Sequence, residues 1–177
     1  LVAIVRSDAQ KKILADIGLT HIIDSTKDSF MPDLIAALAE TGATLGFDAI
    51  GGGKMASYIL TAMEKAAAVR GAEFSVYGST VNKQVYIYGR LDLSPTIVPA
   101  GVGFAWNLSG YLLTPFLQKA APDVRERMYK RVIDELNTTF ASHYTKTISL
   151  AEALDLDTLH AYNAKATGEK YLIDPSL

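Results

Sequence analysis

Nine residues, Leu45-Gly46-Phe47-Asp48-Ala49-Ile50-Gly51-Gly52-Gly53, restrict what this chain can fold into more than any other stretch. The apolar run Leu45–Ile50 is too short for a stable helix and is closed by three glycines. Lys54 and Met55 then open a segment with helical spacing, in which Met55, Ile59 and Met63 share the inward face. Strand, tight turn and helix in that order are the repeating unit of a parallel α/β sheet. Ligands of such sheets bind at the carboxyl ends of the strands, where Gly51–Gly53 lie. Glycine suits that place, since a main chain without Cβ can take positive φ and approach a ligand closely. From this segment alone, a plain turn before a helix is the simpler account.

The preceding residues repeat the unit. Leu1–Val5 is a β-branched apolar run, as in a strand covered on both faces. Ser7 and Gln10 have capping-box spacing, and Ala9, Ile13, Leu14 and Ile17 fall on one helical face before Gly18 stops the helix. Thr20–Ile23 reads as a second strand. Ser29 and Pro32 open a helix with Leu34, Ile35 and Leu38 inward, ended by Gly42. The first half is therefore a doubly wound pattern of alternating strands and helices.

The later residues are less regular. Turn residues punctuate 70–84, with an extra strand expected at Phe74–Tyr77. Val85–Tyr88 is a strand stopped by Gly89, and Leu91–Val102, with Pro95 and Pro99, reads as an extended loop. Phe104–Leu117 is the most apolar stretch, and core or a subunit interface accounts for it equally well. Pro122 begins a helix with Val124, Met128, Val132, Leu136 and Phe140 inward. A strand at Tyr144–Ile148, a capping box at Ser149 and Glu152 opening a helix to about Tyr162, and a closing strand Tyr171–Ile173 complete the chain.

Composition removes several function classes. The chain has 177 residues, room for one domain with a core. At 49% hydrophobic and 20% charged it is of globular type. A formal charge of -2 without a basic block gives a nucleic-acid groove no electrostatic support. There is no cysteine, which rules out disulfides and thiolate metal sites and fits a reducing compartment; the cytoplasm is the expectation. No apolar run is long enough to span a bilayer, so no membrane partner is expected. The chain opens in mid-strand, and the expectation is a truncated piece of a longer protein.

Metal ligation finds no donor set, because His21, His143 and His160 are scattered and none has a second ligand at helical spacing. Asp155 and Asp157 read as solvated acids. The remaining candidate is Arg6-Ser7, just past the first strand. In a dinucleotide fold the residue at this place distinguishes the cofactors: a carboxylate binds ribose hydroxyls, whereas an arginine offers a donor fork to a 2′-phosphate. With no acid before Asp8, the strand end favours NADPH. A helix-start arginine that touches no ligand is the competing account.

Four passages, in order along the chain, carry a resemblance. Lys12–Asp24, KILADIGLTHIID, is similar to a "helix, x-G-A-x-x-V-I" passage, with Leu19 where alanine is usual. Phe47-Asp48-Ala49-Ile50-Gly51-Gly52 is similar to F-D-x-V-G-G, and Tyr88-Gly89 to a strand ending in glycine. Ser149–Ala153 followed by Lys165–Lys170 is similar to an "L-x-E-A … G-K-A-x-G-K" ending, with Glu169 inserted. Together they resemble the cofactor domain and C-terminal tail of the medium-chain dehydrogenase/reductase superfamily, in its quinone-oxidoreductase-like branch. The likeness covers nearly the whole chain.

The resemblance implies a Rossmann-like, doubly wound parallel sheet and an NADPH-dependent reductase of quinones or enones. It implies that Arg6 holds the 2′-phosphate, Ser7 and Gln10 the adenosine end, and Ile50, Gly51 and Gly52 the nicotinamide ribose through main chain. Gly89 and Leu91 would border the nicotinamide, and a homodimer would form through Phe104–Leu117. It leaves the catalytic residues unknown and assigns no metal ligand to these residues, since catalytic zinc in the alcohol-dehydrogenase branch would be ligated mostly outside this region.

The family's catalytic domain, first cofactor strand and glycine-rich phosphate turn have no counterpart in these residues. The chain is accordingly expected to be one partial dinucleotide-binding domain whose tail packs on an absent catalytic domain, inactive alone. The strands Leu1–Val5 and Leu45–Ile50 would then face each other across the missing strand, to be bridged by a partner, to collapse together, or to mark a cleaved protein. A zinc-type alcohol dehydrogenase and a non-catalytic oligomerisation module are the alternatives.

Overall fold

The structure, a computed structural model, describes residues 1–73, 75–98, 100–164 and 170–177. It divides into two compact units, Leu1–Phe116 and Leu117–Leu177. The first unit opens with β1 (Val2–Val5), α1 (Asp8–Asp16), β2 (His21–Asp24), α2 (Phe30–Thr41) and β3 (Leu45–Asp48). A short β4 (Gly51–Gly53), α3 (Met55–Val69), β5 (Lys83–Ile87), β6 (Asp92–Thr96) and β7 (Trp106–Gly110) follow. Every ladder here is parallel: β1 with β2, β5 with both β3 and β7, and β4 with β6. This is the Rossmann-like doubly wound arrangement, with one interruption. β1 pairs only with β2 and β3 only with β5, so each keeps an edge without a ladder among the described residues. The two edges have not paired with each other.

The core lies where α2 and α3 cover the sheet. Phe30, Leu34 and Leu38 of α2 pack with Ile59, Leu60 and Met63 of α3 and with Val85 of β5. Val2, Ile4 and Ile23 join the same cluster from β1 and β2, so both short sheets share one apolar interior. Removing side chains such as Leu34 and Leu60 from water stabilises the fold by ~1.5–3 kcal/mol each. α2 ends at Gly42, whose φ of 66° closes the helix in the left-handed conformation.

Several expectations are corrected. The face Ala9, Ile13, Leu14 and Ile17 of α1 has no buried residue, because the helix packs against little besides β2. The strand expected over 45–50 stops at Asp48, and Gly51–Gly53 is itself a strand, since residues 92–96 lie parallel beside it. Those residues are therefore not loop; Pro95 is tolerated on the exposed side of a two-stranded ladder. Of the strand expected at 74–77, Phe74 lies outside the described residues and 75–77 form a turn. Pro99 lies outside them too. Phe104 and Leu112 are mostly exposed, which removes the core reading for that end of the apolar stretch, although Trp106 and Leu108 pack on the core.

α4 (Leu113–Lys119) crosses the boundary between the units. In the second unit α5 (Pro122–Asp134) starts with the expected proline but buries none of its residues, and it ends before Leu136 and Phe140. β8 (Lys146–Ile148) pairs in parallel with β9 (Tyr171–Ile173). The capping box is present: Ser149 N–H donates to Glu152 Oε2 at 2.8 Å and Glu152 N–H to Ser149 Oγ at 3.2 Å. It closes only a 3-10 turn, Glu152–Leu154. Asp155 then caps a separate helix, α6 (Leu156–Asn163), by accepting from Asp157 and Thr158 N–H, so it is not merely a solvated acid. The 165–169 part of the C-terminal resemblance lies outside the described residues.

Candidate functional site

The strands β4 and β6 and the carboxyl ends of β5 and β7 border one cleft, and Asp48 at the end of β3 shapes the turn into β4 beside it. Asp48 is buried, and its Oδ1 accepts from Ile50 N–H at 2.7 Å and Gly51 N–H at 3.4 Å. That bends the chain out of β3 and into β4. Gly51 takes φ +81°, and a Cβ there would stand 2.5 Å from Gly89 O. A Cβ on Gly52 would stand 2.7 Å from Ser94 O. The triplet is thus glycine so that residues 89–94 of the same chain can lie against it.

The same turn engages much of the main chain at Ile50 and Gly51. Ile50 O accepts Asp92 N–H at 2.9 Å, and Gly51 O accepts Thr96 Oγ1–H at 2.6 Å. The Ile50 and Gly51 main-chain groups are thus engaged by Asp48 and β6, while Gly51 and Gly52 themselves line the cleft. Asp48 Oδ2 is buried with no hydrogen-bond partner among the described residues.

The cleft beside this turn has a volume of ≈ 560 Å³, within the range of small-molecule sites. It is lined by Gly51 and Gly52 of β4, by Ile87 at the end of β5 with Tyr88, Gly89 and Arg90 after it, by Asp92, Ser94 and Thr96 of β6, and by Gly110 at the end of β7 with Tyr111, Leu112 and Pro115 beyond it. Gly89 lies in it, packed on Ala49 so closely that a Cβ would overlap the Ala49 carbonyl. Leu91 is exposed beside it and donates its N–H to Ala49 O at 3.4 Å. Hydrogen bonds from Ser94 hold the Asp92 carboxyl below the usual carboxylate range.

Arg6, Ser7 and Gln10 sit together past the end of β1. Ser7 caps α1 by accepting from Gln10 N–H at 3.3 Å, and Gln10 Oε1 accepts Arg6 N–H at 2.9 Å. The Gln10 side chain thus reaches back one residue beyond the N-cap, a variant of the capping box, so Ser7 and Gln10 are engaged in shaping the helix start. Arg6 is exposed, and its guanidinium makes no hydrogen bond or ion pair among the described residues. The nearest chain carboxylate, Asp8, opens α1.

Sequence reasoning missed Arg90, Tyr111 and Thr96 as cleft residues. The cation directly after the strand-ending Gly89 was the available signal for Arg90. Tyr111 and Thr96 reach the cleft through β6 and β7, whose pairing no local pattern announces. No group of three or more metal-ligating side chains occurs among the described residues. No helix there is long and apolar enough to cross a membrane.

No family model and no curated protein matches the chain. Solved structures do. A protein from Mesorhizobium loti described as an NADPH:quinone reductase superposes with a TM-score of 0.69 at 24% identity, over 98% of this chain and 45% of that one. One from Bacillus thuringiensis, described likewise, gives 0.62 at 14% identity, over 96% and 46%. Etr1p, known from a Candida tropicalis mitochondrial 2-enoyl thioester reductase and solved with NADP and crotonyl-CoA, gives 0.59 at 15% identity, over 97% and 46%. At these identities the likeness is one of fold. This chain spans a little under half the length of each of those structures.

Proposed function

We propose that this chain is the cofactor-binding half of an NADPH-dependent oxidoreductase of the medium-chain dehydrogenase/reductase type, which reduces a quinone or enone. The observation that carries this reading is Arg6: a guanidinium without an acidic partner, placed past the carboxyl end of a parallel strand in this fold. A planar fork of donors there complements a ribose 2′-phosphate, and no carboxylate stands in its place to bind the free hydroxyl. The residues present fit the two ends of the nucleotide. Arg6, oriented by the Ser7–Gln10 cap, would take the phosphate; Gly89 and Leu91 would border the nicotinamide at the cleft. When bound, NADPH supplies the hydride. A helix N-terminus with a glycine-rich turn, the usual pyrophosphate cradle, is not among these residues, so the chain alone would bind cofactor weakly and not turn over.

The same reading makes Phe104–Leu117 a homodimer contact. β7 is the last strand of its sheet, and Phe104 and Leu112 are largely exposed beside it. A cytoplasmic location accords with the absence of cysteine. The deciding experiment is titration of the full-length protein with NADPH and NADH, wild type against Arg6→Ala. The preference for NADPH falls at least tenfold in the variant; an unchanged ratio overturns the reading.

A further inference from the structure

We infer that Arg90 selects the substrate of this cleft, and that the substrate is a conjugated acceptor carrying a carboxylate. The inference rests on the reductase reading for the position of the acceptor, but the anion site itself stands on geometry.

The main chain around Arg90 is held on both sides. Tyr88 N–H donates to Asp48 O at 3.0 Å and Asp92 N–H to Ile50 O at 2.9 Å, with Leu91 N–H reaching Ala49 O between them. The Arg90 Cα lies 3.5 Å from where a Cβ on Gly51 would be, so the loop is seated on the β3–β4 turn. The main chain that carries Arg90 is thus fixed at the cleft, with its side chain exposed.

Its guanidinium has no partner among the described residues. The acid two positions on, Asp92, lines the same cleft but makes no ion pair with Arg90: its Oδ1 accepts Ser94 N–H at 2.7 Å and its Oδ2 lies 3.3 Å from where a Cβ on Gly53 would be. Several other cations of the first unit have partners, as Lys12 with Asp16, Lys83 with Glu64 and Arg70 with Ala39 O, whereas Arg6, outside this cleft's lining, shares the unpaired state of Arg90 among the described residues. Tyr88 and Tyr111 line the same cleft, and neither phenol hydroxyl makes a hydrogen bond among the described residues. Leu112 and Pro115 supply apolar wall.

Flat aromatic surface, free phenol donors and one fork-shaped cation complement a planar conjugated molecule ending in a carboxylate, which a guanidinium can hold through two parallel hydrogen bonds. The alternative source of the anion is the cofactor's own pyrophosphate, which the test separates.

The full-length protein is titrated by calorimetry, without turnover, with 1,4-benzoquinone-2-carboxylate, with 1,4-benzoquinone and with NADPH. The wild type binds the carboxylated quinone about tenfold more tightly than the neutral one, roughly the contribution of one well-placed charge pair. Arg90→Gln removes the difference and Arg90→Lys keeps part of it; the exposed site leaves both variants folded by circular dichroism. Equal affinity of the wild type for the two quinones overturns the inference. So does a loss confined to NADPH, which would assign Arg90 to the pyrophosphate. If no quinone supports NADPH oxidation, the reductase reading fails, while a carboxylate preference lost in Arg90→Gln still upholds the anion site.

Discussion

The Lys83 Nζ lies 2.6 Å from Glu64 Oε2, and Lys83 has no exposed surface. Its other donors reach Ser79 Oγ at 3.1 Å and Val81 O at 2.8 Å. Ser79 closes the network by donating its N–H and hydroxyl to Glu64, each at 2.7 Å. The ion pair therefore ties the turn-rich segment before β5 to the middle of α3. Removing one partner leaves an uncompensated buried charge, so Glu64→Gln or Lys83→Met should cost ~3–5 kcal/mol by urea denaturation. The double variant Glu64→Leu/Lys83→Met should recover a substantial part of that loss, because neither charge is then stranded.

The same pair makes stability pH-dependent. Burial pushes the Glu64 carboxyl up, but hydrogen bonds from Lys83 and Ser79 outweigh it and hold the group below its ordinary range. A carboxyl depressed in the folded state contributes stability that is present above its unfolded pKa and lost as pH falls through the folded one. Urea midpoints from neutral to acid pH should fall more steeply for the wild type than for the Glu64→Leu/Lys83→Met variant. Parallel curves would show that the pair does not govern acid unfolding.

At the cleft floor, Gly51→Ala must seat a Cβ 2.5 Å from Gly89 O on a backbone at φ +81°, and Gly89→Ala must displace the Ala49 carbonyl. Each should cost ~1–3 kcal/mol and weaken ligand binding, since the β3–β4 turn and the Arg90 loop would separate. A Cβ on Gly110, in the same cleft, meets nothing within 4 Å, so Gly110→Ala should leave the urea midpoint close to wild type.

These glycines show where the sequence was legible. Period and punctuation marked β3, α3 and the Ser7–Gln10 cap, because each depends on residues within one turn or one strand. They could not mark β6, whose partner is Gly51–Gly53 and whose Pro95 argues against a strand in isolation. The triplet was read as lying where a ligand binds, and Gly51 and Gly52 do line the cleft; what Gly–Gly–Gly could not show is which backbone of the same chain lies against it. The Lys83–Glu64 pair, 19 residues apart, had no local signature at all. Helical spacing placed one apolar face on α1, and on α5 it was read as inward although no residue there is buried, because periodicity says which face is apolar and not whether anything covers it.

α1 offers a direct check on that distinction. Ile13 is 51% exposed and Ile17 75% exposed, so Ile13→Gln and Ile17→Lys remove little buried apolar area. Each should change the stability of this chain by no more than ~0.5 kcal/mol. Leu34→Ala, which empties a position only 1% exposed between α2 and α3, should cost ~2–5 kcal/mol. Similar losses at all three sites would mean that the α1 face is covered after all.

The proposed homodimer has its own test at the free edge of β7. Parallel pairing with β5 engages one side of Trp106–Gly110 and leaves the other side's donors and acceptors available to a second copy. Phe104, 82% exposed, and Leu112, 67% exposed, flank that edge at either end. Charges at those ends would repel across a two-fold axis, where each residue meets its own neighbourhood twice. Phe104→Glu combined with Leu112→Glu should therefore convert a dimer to monomer in sedimentation equilibrium at neutral pH, with partial recovery at high salt as the repulsion is screened. Because both side chains are exposed in the single chain, the monomer should keep the wild-type circular dichroism spectrum. A dimer that persists in the double variant would place the contact elsewhere.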